Sequence, residues 1–455
     1  MVLINKTTSL CPQCLKLIDA QVVERDGKTY MFKTCPEHGY FEALHPIGDA
    51  ADYRAMAALF KNHFSPAAPD GLVINLTPHC NLNCAFCFAR ANECQFPEPT
   101  LAAIKNAIAG FKGSTVYLSG GEPTLREDLF EIIGEIKKQR YHVALFTNGK
   151  KLVDEGFVSR LKEHALDLVI LQFDTFDEQE CQMIRGERLV ASKLEVIGKL
   201  KAARIPVYLF SMLVQEINLG QVEKLVNFVV QKNSNVKILN LNPVWEMGRV
   251  GKHSPMNMSQ ILKLVEAKTG ISREDFIDGS AFGYYLSSLF GQITGQGANR
   301  HPWCEMRAYV FPGQESIVTL GRIVNLKKLN HYLKEINQRL RKTTKFKICK
   351  LLVSLPYWFL LQEFLCKRQF RGFIYKILKS YLGSLKSGRR YSLMDLEMAS
   401  IIVGTFHTAW NIDFNLASTC NLYSDFPGGE HRSSCLRQIM LTQKWATAAS
   451  QKCRV

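Results

Sequence analysis

Membrane-spanning apolar runs, internal repeats and low-complexity tracts are missing from this 455-residue sequence, and each absence narrows its class. The first twenty residues hold no continuous apolar core, so a secretory leader is not expected. The apolar run Leu351–Leu361 is shorter than the roughly 20 residues that cross a bilayer. Wholesale disorder is excluded, because 47% of the residues are hydrophobic, enough for packed cores. The 14 cysteines are therefore expected in a reducing cytoplasm, as metal ligands rather than disulfides. Acidic residues are scarce in one place. Between Lys327 and Arg390, 17 Lys and Arg are met only by Glu335 and Glu363, so this stretch carries nearly all of the net charge of +16.

That basic stretch also holds Leu355, Trp358 and Phe359. Basic flanks around an aromatic apolar run suit a helix lying on an anionic membrane, which places the protein at the inner face of the membrane, peripheral and cytoplasmic. A buried helix with solvated basic flanks is the plainer alternative. No nucleic-acid partner is expected, since single-strand grooves interleave their aromatics with more polar residues.

Three regions separate along the chain. Residues 1–66 contain Cys11, Cys14, Cys35 and His38 and read as a small metal-knuckle domain built on a β-hairpin. Residues 67–254 alternate strand and helix patterns. The strands are Leu72–Leu76, Thr115–Leu118, His142–Phe146, Leu168–Phe173, Val207–Leu213 and Val236–Asn240. Helical periodicity covers Leu101–Phe111, Leu125–Arg140, Phe157–His164, Val190–Ala203 and Leu219–Gln231. Such alternation predicts an α/β fold with a parallel sheet, a partial (β/α)6 barrel whose chemistry lies at the C-terminal strand ends. Residues 255–455 are less periodic and read as a mixed, cysteine-containing extension that includes the basic segment 327–390.

The loop after the first barrel strand holds Cys80, Cys84 and Cys87 within eight residues. Soft thiolates favour zinc or iron–sulfur clusters, but a closed zinc site wants four ligands. Three thiolates on a [4Fe–4S] cluster leave one iron open. One βα unit later the chain reads Ser119-Gly120-Gly121-Glu122-Pro123, where glycines allow close backbone approach. Near the N-terminus, Cys11-Pro12-Gln13-Cys14 and Cys35-Pro36-Glu37-His38 match a tetrahedral mononuclear site, with iron and zinc both open.

The CxxxCxxC loop, with aromatic Phe86 before its last cysteine, resembles the radical S-adenosylmethionine superfamily, as does the GGEP segment. The resemblance implies a [4Fe–4S] cluster on Cys80, Cys84 and Cys87 that binds S-adenosylmethionine, and an electron donor. It implies cofactor contacts from Phe86, Gly120, Gly121, Glu122, Pro123, Asn148, Asp174, Arg185 and Ser211. With the N-terminal knuckles, the chain resembles the archaeal tetraether lipid synthase and methanopterin-pathway methylase family. That likeness makes Cys304, Cys420 and Cys435 candidate ligands of an auxiliary cluster. The activity it implies is modification of an unactivated C–H bond, of a lipid chain in the first reading. A pterin-like soluble substrate is the alternative, and peptide maturation a third.

Overall fold

A computed structural model describes residues 1–60, 71–93, 96–231, 234–244, 247–250, 253–294, 304–314, 316–342, parts of 364–379, 399–413, 422–425 and 431–433. The N-terminal region is larger than the hairpin expected of it. Strands β1 (Val2–Leu10), β2 (Leu17–Arg25), β3 (Lys28–Cys35) and β4 (Gly39–Asp49) form a four-stranded antiparallel meander. The β2–β3 turn is Asp26-Gly27, both at positive φ (52° and 72°), the geometry a two-residue hairpin loop demands. In a meander the first and third turns fall at the same end. The two knuckles occupy those turns, so local strand pairing alone brings them together. Helix α1 (Ala50–Phe60) follows.

Strand β5 (Gly71–Asn75) opens the barrel. It is followed by α2 (Leu101–Ala109), β6 (Thr115–Ser119), α3 (Leu129–Lys138), β7 (His142–Thr147), α4 (Glu155–Glu163) and β8 (Leu168–Gln172). Then come α5 (Glu178–Arg185), α6 (Val190–Ala202), β9 (Val207–Leu213), α7 (Val222–Val230) and β10 (Val236–Pro243). Strands β5 to β10 pair consecutively and in parallel, as the alternation predicts. Residues on the helix-covered face, such as Leu72, Val116, Leu145 and Leu209, are fully buried. Their neighbours Val73, Tyr117, Phe146, Tyr208 and Phe210 line the other, only half-buried face. Helix α5 escaped the periodicity because most of its eight residues are polar. It is held instead by its ends: Asp177 accepts from Gln179 N and Glu180 N, and Gly186 closes it at φ +84°.

The third region is more regular than its sequence suggests. It comprises α8 (Met258–Thr269), α9 (Arg273–Thr294), β11 (Glu305–Phe311), β12 (Val318–Thr319), α10 (Leu320–Ile323), α11 (Leu326–Lys342), β13 (Ala399–Gly404), β14 (Leu422–Asp425) and β15 (His431–Ser433). The barrel sheet thereby grows to eleven strands, in the order β12-β11-β13-β10-β9-β8-β7-β6-β5-β14-β15. Strand β13 runs parallel to β10, so the segment after Gly404 emerges on the same face as the cysteine loop. Helix α11 begins the basic segment and docks on α9. Leu329, Leu333, Ile336 and Leu340 are buried, and the Asn330 and Asn337 amides donate to Asp278 O and Tyr285 O at 2.9 Å. This part is a covered helix with a basic outer face. The run Leu351–Leu361 lies outside the described residues. Among the described residues, no helix is long and apolar enough to cross a membrane.

Candidate active site and metal centre

The ligand atoms of Cys11, Cys14, Cys35 and His38 all lie within 4.8 Å of one another. Cys11 Sγ and Cys35 Sγ stand 3.7 and 3.5 Å from His38 Nδ1, and Cys14 Sγ stands 3.9 Å from Cys35 Sγ. A tetrahedron with metal–sulfur bonds of about 2.3 Å has edges of about 3.8 Å. Three thiols and an imidazole at this spacing fit a single tetrahedral ion.

The cysteine loop is clamped from several sides. Gly121 N donates to Thr77 O at 2.7 Å and Glu122 N to His79 O at 2.8 Å. A Cβ on Gly121 would stand 2.2 Å from His79 O, and one on Gly120 2.5 Å from Thr77 O. These glycines therefore let the end of β6 press its backbone against the approach to Cys80. The Glu122 carboxylate is buried and accepts from Thr124 N, Thr124 Oγ1, Thr147 Oγ1 and Asn148 N at 2.7–3.2 Å. Burial pushes its pKa up against those four bonds. Glu122 thus ties the end of β6 to the end of β7, while Pro123 starts the following turn. Asn148 donates to Asn81 Oδ1 at 2.7 Å, with its Nδ2 3.8 Å from Cys80 Sγ. Burial raises the Cys80 thiol to about 11.

Asp174 and Arg185, expected as separate cofactor contacts, are each other's partners. Arg185 Nε and Nη2 donate to the two Asp174 oxygens at 2.7 Å, with both side chains 1% exposed. Burial opposes both charges, yet the pairing holds Asp174 below the usual carboxylate range and Arg185 above its ordinary value. The pair positions the loop: Arg185 Nη1 reaches Phe86 O at 3.4 Å, Ala85 N donates to Ile184 O at 3.1 Å, and Gly186 faces Asn83 O. Phe86 is buried with Ile184, Val214 and Val244. Ser211 is wholly buried, its hydroxyl donating to Phe173 O.

Two residues that grip the cysteine loop, Asn92 and Arg249, gave no sequence signal. Asn92 Oδ1 accepts from Cys80 N at 2.8 Å, and its Nδ2 donates to Cys80 O at 3.0 Å. Arg249 bridges Asn83 Oδ1, Cys84 O and Ala91 O at 2.5–2.9 Å and pairs with Glu93. Its backbone exchanges two hydrogen bonds with Cys87, at 3.0 and 2.8 Å. Lys193, on the first turn of α6, is 3% exposed, and its Nζ has no hydrogen-bond partner among the described residues. Cys304 stands at the start of β11, its carbonyl accepting from Thr405 N at 2.9 Å, beside the end of β13. Cys420 and Cys435 lie outside the described residues.

A three-cysteine loop gripped by a glycine-bearing strand end, on a parallel half-barrel, defines the radical S-adenosylmethionine superfamily. Residues 74–229 match the radical SAM superfamily domain, and residues 3–45 match the HMPTM N-terminal zinc ribbon domain. The protein is an iron–sulfur, S-adenosylmethionine-dependent enzyme carrying a [4Fe–4S] cluster and a separate mononuclear metal site. Among its relatives is the 7,8-dihydro-6-hydroxymethylpterin dimethyltransferase of Methanocaldococcus jannaschii, 29% identical over 467 residues, covering 93% of this chain and 91% of that one. A probable GTP 3′,8-cyclase of Pyrococcus abyssi is 30% identical over 179 residues, 39% of this chain and 58% of that one. Of solved structures, Streptococcus suis SuiB bound to S-adenosylmethionine is similar at 19% identity and a TM-score of 0.40, over 48% of this chain and 51% of that one.

Proposed function

We propose that the protein adds one-carbon units to a pterin-like heterocycle, in the manner named for its methanogen relative. One observation carries this reading: the similarity to that dimethyltransferase runs through 93% of the chain, so it takes in the ribbon and the C-terminal region as well as the shared barrel. The lipid-chain reading leaned on the tetraether-synthase likeness and on the basic segment. The longest described part of that segment, α11, is occupied against α9, which favours the pterin alternative over a membrane-docked enzyme. When bound, the cluster and S-adenosylmethionine supply a reducing electron and a hydrogen-abstracting radical. The chain's own residues hold the thiolates in place and keep the loop dry around Phe86 and Cys84, both under 9% exposed. An electron donor is required as partner. The test is anaerobic turnover of reconstituted enzyme with S-adenosylmethionine as radical source, a reductant, a one-carbon donor (a second equivalent of S-adenosylmethionine or a reduced-folate carrier) and 6-hydroxymethyl-7,8-dihydropterin, read by mass spectrometry. A pterin product heavier by one or two methyl substitutions is expected. Formation of 5′-deoxyadenosine with a total lipid extract, and none with the dihydropterin, would sink the reading.

A further inference from the structure

Inside the barrel, on its half-buried face, two asparagines have atoms left unpaired. Asn240 and Asn242 lie on β10, 6% and 3% exposed. Asn240 Nδ2 donates to Tyr208 Oη at 2.7 Å, which fixes the amide's orientation and turns Oδ1 away, with no partner among the described residues. Asn242 Nδ2 also lacks a partner among the described residues. A buried amide that forgoes a hydrogen bond destabilises the fold, so two at adjacent inward positions of one strand call for an explanation.

Their surroundings supply one. A Cβ on Gly404, at the end of β13, would meet Asn242 Oδ1 at 2.3 Å and Asn240 Oδ1 at 2.9 Å, so both amides occupy the space that a side chain there would fill. Asn240 pairs in register with Phe210, and Asn242 with Met212. Phe210, Phe146 and Tyr117 follow one another along the same face, at centroid separations of 6.4 and 6.1 Å. Above the amides, Val244 and Met212 share an apolar cluster with Phe86 of the cysteine loop. The amides therefore face the interior one step below the cluster loop, beside flat aromatic surface.

We infer that Asn240 and Asn242 read the hydrogen-bonding edge of the heterocyclic substrate, with Gly404 keeping the space for them. This deepens the pterin reading and rests on it. A pterin presents an amino group and a ring N–H beside a carbonyl oxygen on one edge of a flat bicycle. The unpaired Asn240 oxygen accepts from that edge, the unpaired Asn242 amide nitrogen donates to it, and the neighbouring rings cover its faces.

The experiment measures binding of 6-hydroxymethyl-7,8-dihydropterin to anaerobic holoenzyme by the ligand's fluorescence, with S-adenosylmethionine binding measured in parallel. Asn240→Leu and Asn242→Leu should each weaken dihydropterin binding by about tenfold or more, because the ligand's polar edge is then buried unpaired. Gly404→Ala, which needs only the amide tips to move, should do the same while leaving cluster content intact. S-adenosylmethionine affinity should stay within about twofold; Asn242→Leu should melt no lower than wild type, since it loses an amide nitrogen with no partner among the described residues, whereas Asn240→Leu also gives up its bond to Tyr208 Oη and should melt slightly lower. Wild-type-like dihydropterin binding in all three variants would overturn this inference alone. Failure of the wild-type enzyme to bind any dihydropterin would overturn the pterin reading beneath it.

Discussion

Arg185 and Asp174 are each 1% exposed, and nothing but the other compensates most of either charge. Removing one partner leaves an uncompensated buried ion, which costs about 3–5 kcal/mol, whereas removing both together costs less. Arg185→Met should therefore destabilise the protein more than the Arg185→Met/Asp174→Leu pair, as read by urea denaturation. A double variant as unstable as the sum of its singles would contradict the pairing. Because Asp174 is held below its unfolded value, its contribution is present above about pH 4 and fades as pH falls through that range. His45 and His407 work on a different window. Burial lowers them to about 3 and about 4, with their rings 6.5 Å apart. Both stay neutral in the fold, while the unfolded chain takes up protons below about pH 6.5. Stability should thus fall with acidification from about pH 6.5, by about 1.4 kcal/mol per pH unit for each histidine. His45→Gln with His407→Gln should flatten that slope. An unchanged slope in the double variant would refute it.

The segment Met247-Gly248-Arg249, just past β10, is the least sequence-legible part of the site. Gly248 sits at φ +78°, and a Cβ there would stand 2.3 Å from Cys87 O and 2.6 Å from Phe88 O. Both obstacles are backbone, so they cannot swing aside. Gly248→Ala should push the cysteine loop out of position and cost the protein most of its cubane iron, while the N-terminal metal stays bound. Iron and zinc analysis with cluster absorbance checks this, and full iron content in the variant would show that the loop is held elsewhere. The cysteine spacing and the GGEP segment were readable because each is a local pattern: eight and five residues carry the whole signal. The polar groups expected to meet the cofactor were readable by position, but their partners were not. Asp174 and Arg185 are eleven residues apart in the chain, and only the fold of α5 back over the loop makes them a pair.

At the scale of the molecule, the metal ribbon is part of the active-site wall. Leu10 and Leu15 of the first knuckle pack with Phe88, Met247, Phe406 and Ile412. Buried Lys33 donates to Leu10 O at 2.7 Å and Ala409 O at 2.6 Å, while Thr7 donates to Asp413 at 2.6 Å. Loosening the ribbon should therefore reach Cys87 through Phe88. Cys14→Ser should lose one metal ion per chain, lower cluster retention and expose the segment 404–413 to protease. Cluster content and protease resistance equal to wild type would show the two sites to be independent. Features that depend on neighbours along the chain were legible from the residues. Strand and helix periods define the half-barrel, Asp26-Gly27 turns the β2–β3 hairpin of the ribbon, and paired knuckles fall on turns that a meander must bring together. Contacts across about 160 residues were left to the folded chain: β13 beside β10, Arg249 on the cysteine loop, Gly404 opposite Asn240 and Asn242. Periodicity reports which face of an element is buried. It carries no information about which distant backbone will press against that face, because that is settled only when the whole sheet closes and each buried polar group must find a partner.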